Sequence, residues 1–118
     1  MKPGDDPYVI TVGSSDHRAT PKIVDDEVPV FSSRGATRAD LLAKPDLVAP
    51  GVHTVSLRSP GSAIDQFYPG ARVGTDYFRG TGTSMSTATV SGIVALMLDA
   101  DPSLTPDQVK PGRPTPTP

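Results

Sequence analysis

Tyr8 to Ser15, "YVITVGSS", is a short apolar and β-branched run stopped by Gly13. Its alternation is weak, which predicts a strand covered on both faces. Asp16 to Val30 is polar, carries two prolines and predicts a loop. Phe31 to Pro45 turns at Gly35, with a short turn of helix expected around Ala39 to Leu42. Asp46 to Gly51, "DLVAPG", predicts a brief strand ended by Pro50-Gly51. Val52 to Leu57 alternates apolar and polar residues and predicts a second strand. Arg58 to Gly74 holds five Gly or Pro and predicts a loop. Thr75 to Gly82 predicts the strand that returns beside Val52 to Leu57 as a hairpin.

The strongest pattern follows. Met85, Ala88, Val90, Ile93, Val94, Leu96, Met97 and Leu98 surround most of a helical wheel. They predict a central, buried helix starting near Ser84. Gly92 inside it is costly unless another backbone packs close. Thr105, Pro106 and Gln108 then stand as N-cap, N1 and capping-box partner of a second helix, cut off by Pro111-Gly112. Residues 1–110 read as one folded unit and 111–118, "PGRPTPTP", as a Pro-rich extended tail. No internal repeat is visible.

At 118 residues the chain has room for one domain. It can bury roughly two-thirds of its unfolded surface. With 36% hydrophobic residues and no Trp, its core has little to spare. A net charge of -2 with mixed signs argues against a nucleic-acid or membrane-surface partner. No Cys means no disulfide and no Cys-based zinc site. The longest apolar stretch, Ile93 to Leu98, is far too short to span a bilayer. "MKPGDDPYV" has no apolar signal region, so the chain is cytosolic or an upstream part has been removed. The compartment stays open.

"GTGTSMSTATVSG" carries the candidate chemistry. A nucleophilic Ser needs a base, donors for the developing oxyanion and a fixed rotamer. Ser84 at a helix start has free backbone N–H groups beside it, which favour negative charge. Gly80 and Gly82 leave room for a substrate backbone. The same pattern suits an ordinary N-cap Ser.

Gly82 to Gly92, "GTSMSTATVSG", resembles the nucleophile motif of the subtilisin-like serine proteases, GTSMATPHVAG. Seven of eleven positions agree, and Ser86, Ala88, Thr89 and Ser91 depart from it. "DPYVITVGSSD", "FSSRG", "KPDLVAPG" and "LTPDQVK" resemble other segments of that family, in its order. The resemblance covers nearly all of Asp6 to Lys110 and implies an α/β fold, the C-terminal portion of the catalytic domain. Short strands and a β-hairpin would pack on a buried central helix. It implies Ser84 as nucleophile. Its own N–H would be an oxyanion donor, at a helix N-terminus built with Gly82 and Thr83. It implies no cofactor. The family's Asp and His motifs lie upstream of anything matched, and so does its oxyanion Asn; this chain has no Asn.

His17 and His53 are the two histidines. In the family arrangement the strand end before His17 points away from the nucleophile, which favours a solvated loop His. His53, at the start of the hairpin, comes within reach of Ser84 directly or through water, or is a strand His facing solvent. Asp46 and Asp76 are candidates to orient a His, and Arg34 and Arg79 to donate to an oxyanion. Surface or structural roles are the alternative for each. No metal-ligand spacing is present; the Asp5–Asp6 and Asp25–Asp26 pairs read as solvated loops.

The expected function is a truncated subtilisin-like serine hydrolase with weak peptidase or esterase activity on peptide or ester substrates. A relic that self-associates and catalyses nothing is one alternative. A fragment that works only with a partner chain supplying Asp and His is another. An exposed strand edge and an all-round apolar helix predict completion by self-association, as a homo-dimer or higher homo-oligomer.

Overall fold

The computed structural model describes residues 3–36 and 43–110. In chain order they form β1 (Val12–Ser15), β2 (Gly35–Ala36), β3 (Ala43–Lys44), β4 (Leu47–Pro50), β5 (Thr54–Leu57), α1 (Ala63–Phe67), β6 (Arg72–Val73), β7 (Tyr77–Gly80), α2 (Thr83–Ala100) and α3 (Pro106–Val109). The turn of helix expected at Ala39 to Leu42 and the tail at 111–118 lie outside the described residues.

β1 and β4 pair in parallel, Val12 opposite Leu47 through Ser15 opposite Pro50. β1 begins at Val12, later than the apolar run suggests, and Gly13, Ser14 and Ser15 are buried. Small residues there let other parts of the chain come close. A Cβ on Gly13 would meet Pro45 Cγ at 2.8 Å and Ser32 Oγ at 2.9 Å. Ser32 Oγ instead accepts a hydrogen bond from the Ser14 N–H at 2.8 Å.

The amino edge of this pair is clamped by Asp46. Its carboxylate accepts from the Thr11 N–H at 2.7 Å and from Lys44 Nζ at 2.8 Å. Lys110 Nζ, at the end of α3, also reaches it and the carbonyls of Pro7 and Val9. Burial alone would raise the Asp46 pKa. The hydrogen bonds from Lys44, Thr11 and Lys110 outweigh this and hold it below the usual range. α3 carries the expected capping box between Thr105 and Gln108.

α2 packs on β1 and β4. Gly80 of the hairpin lies beside Met85 of α2, and it is the burial of the helix that the expectation overstates. Within α2 only Ser86 and Val90 are buried, while Ile93, Leu96, Met97 and Leu98 are exposed. The reason is length. An 18-residue helix runs about 27 Å. The four-residue strands beneath it run about 13 Å. The C-terminal half of α2 therefore overhangs its support. Gly92 has nothing within 4 Å of where a Cβ would stand. Among the described residues the buried hydrophobic core is Ala49 and Val90.

β5 and β7 form the expected antiparallel hairpin, Thr54 opposite Gly80 through Leu57 opposite Tyr77. β6 adds to the other edge of β7. The connection read as loop therefore holds α1 and β6. Ser62 caps α1 by accepting from the Asp65 N–H at 3.3 Å. Asp65 is 2% exposed. Arg58 grips both its carboxylate oxygens, at 2.6 and 2.9 Å, and Arg72 Nε adds a bond at 2.8 Å. The Gly61 N–H donates at 3.1 Å. The Arg58 bonds, against the opposing effect of burial, hold the Asp65 carboxyl well below the usual carboxylate range.

Because the folded pKa is depressed, this stabilisation is complete above the unfolded value of about 3.9 and is lost as pH falls through the folded one. Asp65→Asn removes it at every pH. Thermolysin at neutral pH is expected to cut between Ser59 and Gly74 at least about tenfold faster in this variant, because cleavage follows the opened population. Equal cutting rates would mean the ion cluster does not hold the loop.

Candidate active site

α2 begins at the carboxyl ends of the parallel strands. Ser15 O accepts from the Gly51 N–H at 3.1 Å, and Gly51 O accepts from the Gly82 N–H at 2.8 Å. Two long-range bonds thus hang the helix start on the sheet. Gly82 is the N-cap, at φ 155 and ψ 159, a conformation that glycine enters most easily. No side chain caps the helix. The N–H groups of Thr83 and Ser84 fall in the first turn, where the helix offers no acceptor.

Ser84 is exposed there. Further along, the hydroxyls of Thr87, Thr89 and Ser91 each return to the carbonyl four residues back, at 2.9, 3.1 and 2.9 Å. The Ser84 hydroxyl makes no hydrogen bond among the described residues. It stands uncommitted at the positive end of an 18-residue helix. That placement favours an oxyanion formed at Ser84.

The floor beneath this turn is tight. A Cβ on Gly51 would stand 2.2 Å from Ser86 Oγ, 2.3 Å from Ser14 Oγ and 2.9 Å from Gly82 O. Ser14 and Ser86 are both 0% exposed, and neither hydroxyl has a hydrogen-bond partner among the described residues. Glycine at 51 is what allows the helix start to sit on the strand end.

The structure does not bring either histidine into hydrogen-bond contact with Ser84. β1 ends at the same edge where α2 starts, so the expectation that this strand end points away from Ser84 is corrected. The parallel register puts both carboxyl ends together. His17 still serves its own turn, its Nδ1 accepting from the Ala19 N–H at 3.0 Å. His53 is not a strand residue: it precedes β5 in a left-handed turn at φ 53. Its backbone N–H donates to Thr81 Oγ1 at 3.0 Å, which ties it to the segment leading into Ser84.

The other candidates are dispersed. Asp46 is at the opposite edge, in the lysine clamp described above. Asp76 is exposed and uses its carbonyl to accept from the Arg58 N–H at 2.8 Å. Arg34 is spent on the Val28 carbonyl. Arg79 lines a groove with His53, Phe67, Tyr68, Gly80 and Thr81. Sequence reasoning missed the Asp65 cluster and the wall it supports. Ser62 and Asp65 stand at the Ser-x-x-Asp spacing of a helix start, which was the available signal. Among the described residues no group of three or more His, Asp or Glu could hold a metal ion. No described helix is long and apolar enough to cross a membrane.

Comparison with known proteins agrees with the motif. The model of the subtilase family matches residues 2–111. The chain is 51% identical over 108 residues to the serine protease AprX of Bacillus subtilis (strain 168), covering 92% of this chain and 24% of that protein. It is 35% identical over 88 residues to the subtilisin-like protease SBT3.9 of Arabidopsis thaliana, covering 74% of this chain and 11% of that one. The uncharacterized protein aq_aa18 of Aquifex aeolicus (strain VF5) is 39% identical over 111 residues, 92% of this chain and 49% of its own length. The chain therefore spans about a quarter of the Bacillus relative and about half of the Aquifex one.

Proposed function

Because this chain belongs to the subtilase family, we propose that it is the nucleophile-bearing portion of a subtilisin-like serine hydrolase, with Ser84 attacking a peptide or ester carbonyl. One observation carries this reading: an exposed hydroxyl with no internal partner, in the first turn of a long helix hung on the carboxyl ends of two parallel strands. The Ser84 N–H, in the turn built with Gly82 and Thr83, is the proposed oxyanion donor.

The 118 residues by themselves are proposed to act weakly. His53, fastened to Thr81, is the proposed local base, working through a water molecule. Activated esters need little protonation of the leaving group and are expected to react before peptides. Full peptidase activity is proposed to need a polypeptide that supplies a His and its Asp. The unsupported half of α2 and the open space over Gly92 favour such a neighbour. An organophosphonate is expected to label Ser84, as located by mass spectrometry of the digested protein. Failure to label, alone and after a complementing chain is added, would remove the nucleophile assignment.

A second reading, a self-associating fragment without catalysis, is favoured by the same exposed apolar side chains. Leu57 is 80% exposed and Leu96 70%. Light scattering at micromolar concentration is expected to give at least twice the 12.3 kDa chain mass. A compact monomer would refute self-association.

A further inference from the structure

The loop between β5 and β7 is built with more care than a simple connection requires. Asp65 is buried under two arginines and the Gly61 N–H. Arg72 Nη2 also donates to the Asp65 carbonyl at 2.8 Å, and Arg58 Nη1 to the Thr75 carbonyl at 2.9 Å. These bonds fix both ends of the loop to its middle. A buried ion cluster adds little net stability compared with apolar packing, and its best use is to specify one geometry. What it specifies here is a wall. Phe67 to Ala71 face Gly80 and Thr81 across a groove of about 500 Å³.

The chemistry of that groove is one-sided. Its lining includes Arg79 and His53, the aromatic rings of Phe67 and Tyr68, and no carboxylate. Among the described residues the Arg79 guanidinium has no ion pair or hydrogen bond. Every other arginine of the loop and hairpin is committed: Arg58 and Arg72 both go to Asp65. The groove also lies on the path to Ser84. Thr81 is three residues before it, no more than about 11 Å of extended chain.

We infer that this groove is a specificity site which takes a carboxylate-bearing residue of a peptide, with Arg79 as its anchor, within a few residues of the bond presented to Ser84. The aromatic rings cover the aliphatic part of that residue, and the fixed wall spares the site the cost of ordering a loop. An Arg–carboxylate pair can be bidentate and charge-assisted, so it distinguishes Glu from Gln. The inference rests on the hydrolase reading for its place in a reaction, but the binding itself does not need the nucleophile.

The test uses the full chain carrying Ser84→Ala, and fluorescent peptides identical except for Glu or Gln at one position. Anisotropy titrations are expected to show the Glu peptide binding at least about tenfold tighter, the size of one hydrogen bond to a charged group. Adding Arg79→Ala is expected to erase that advantage, weakening the Glu peptide far more than the Gln peptide, with the circular dichroism spectrum unchanged. Arg79→Lys is expected to keep part of it. Equal binding of the two peptides to the parent, or an advantage that survives Arg79→Ala, overturns the inference. Phosphonate labelling of unmutated Ser84 is read separately. Glu-selective binding without labelling would sink the hydrolase reading and leave the groove standing. Labelling without Glu selectivity would do the reverse.

Discussion

Replacing Ser84 by Ala is expected to lower hydrolysis of a p-nitrophenyl ester at least about tenfold. An oxyanion site and binding by themselves retain about 10³ to 10⁴ over water when a triad member is removed, so some hydrolysis is expected to survive and the loss is that of nucleophilic attack alone. Ser84, the proposed nucleophile, is exposed and its helix start offers N–H groups with no acceptor within the helix, but neither His17 nor His53 is hydrogen-bonded to it. The rate in the parent should therefore be small, and most of it should depend on the one hydroxyl. His53→Ala is expected to lower the remaining rate severalfold. His17→Ala, whose Nδ1 is occupied by its own turn, is expected to stay within about twofold. Equal rates for Ser84→Ala and the parent would end the assignment, since the ester would then be reacting elsewhere on the surface.

Gly51→Ala is expected to destabilise the chain by about 1–3 kcal/mol, in urea unfolding, and to slow phosphonate labelling of Ser84 about tenfold. Only one methyl group is added, but it would lie 2.2 Å from Ser86 Oγ and 2.3 Å from Ser14 Oγ. Both atoms are fully enclosed and neither can swing into solvent. Relief must come from moving α2 away from the strand end, which strains the bond between Gly82 N–H and Gly51 O. The helix start, and Ser84 with it, moves. Ser86→Ala is expected to act in the opposite direction. It removes a buried hydroxyl that has no partner among the described residues, and should stabilise by about 1 kcal/mol. The two changes meet in space, so the double variant should lose less than the sum of the single effects, because removing Ser86 Oγ also relieves part of the clash. Simple additivity would show that residue 51 does not press on residue 86.

The hairpin, the strand character of β1 and β4 and the capping box of α3 were legible because each rests on local signals. Alternation in Thr54 to Leu57, a β-branched run before Ser14, and the Thr-Pro-x-Gln spacing at 105–108 are all set by near neighbours. The long apolar run of α2 announced a helix correctly but misled about burial. Periodicity reports which side chains seek cover, not whether these 118 residues supply it. The loop at 58–74 was misread for a related reason. Its five Gly and Pro dominate the local pattern. The ion cluster that orders it joins Arg58, Asp65 and Arg72 through side chains whose meeting no local rule predicts.

The active-site reading divides along the same line. From sequence alone came Ser84, its place at a helix start, and the absence of Asn, because a motif and a composition are written in neighbouring letters. The tertiary structure decided that the strand ends of β1 and β4 meet under Ser84, that Gly51 must be small, and that His17 and His53 both stand apart from the hydroxyl. It also decided that Arg79 is left unpaired among the described residues, beside a fixed wall. These depend on strand register and on which distant segments close onto each other. That outcome is set by the free energy of the whole packed chain.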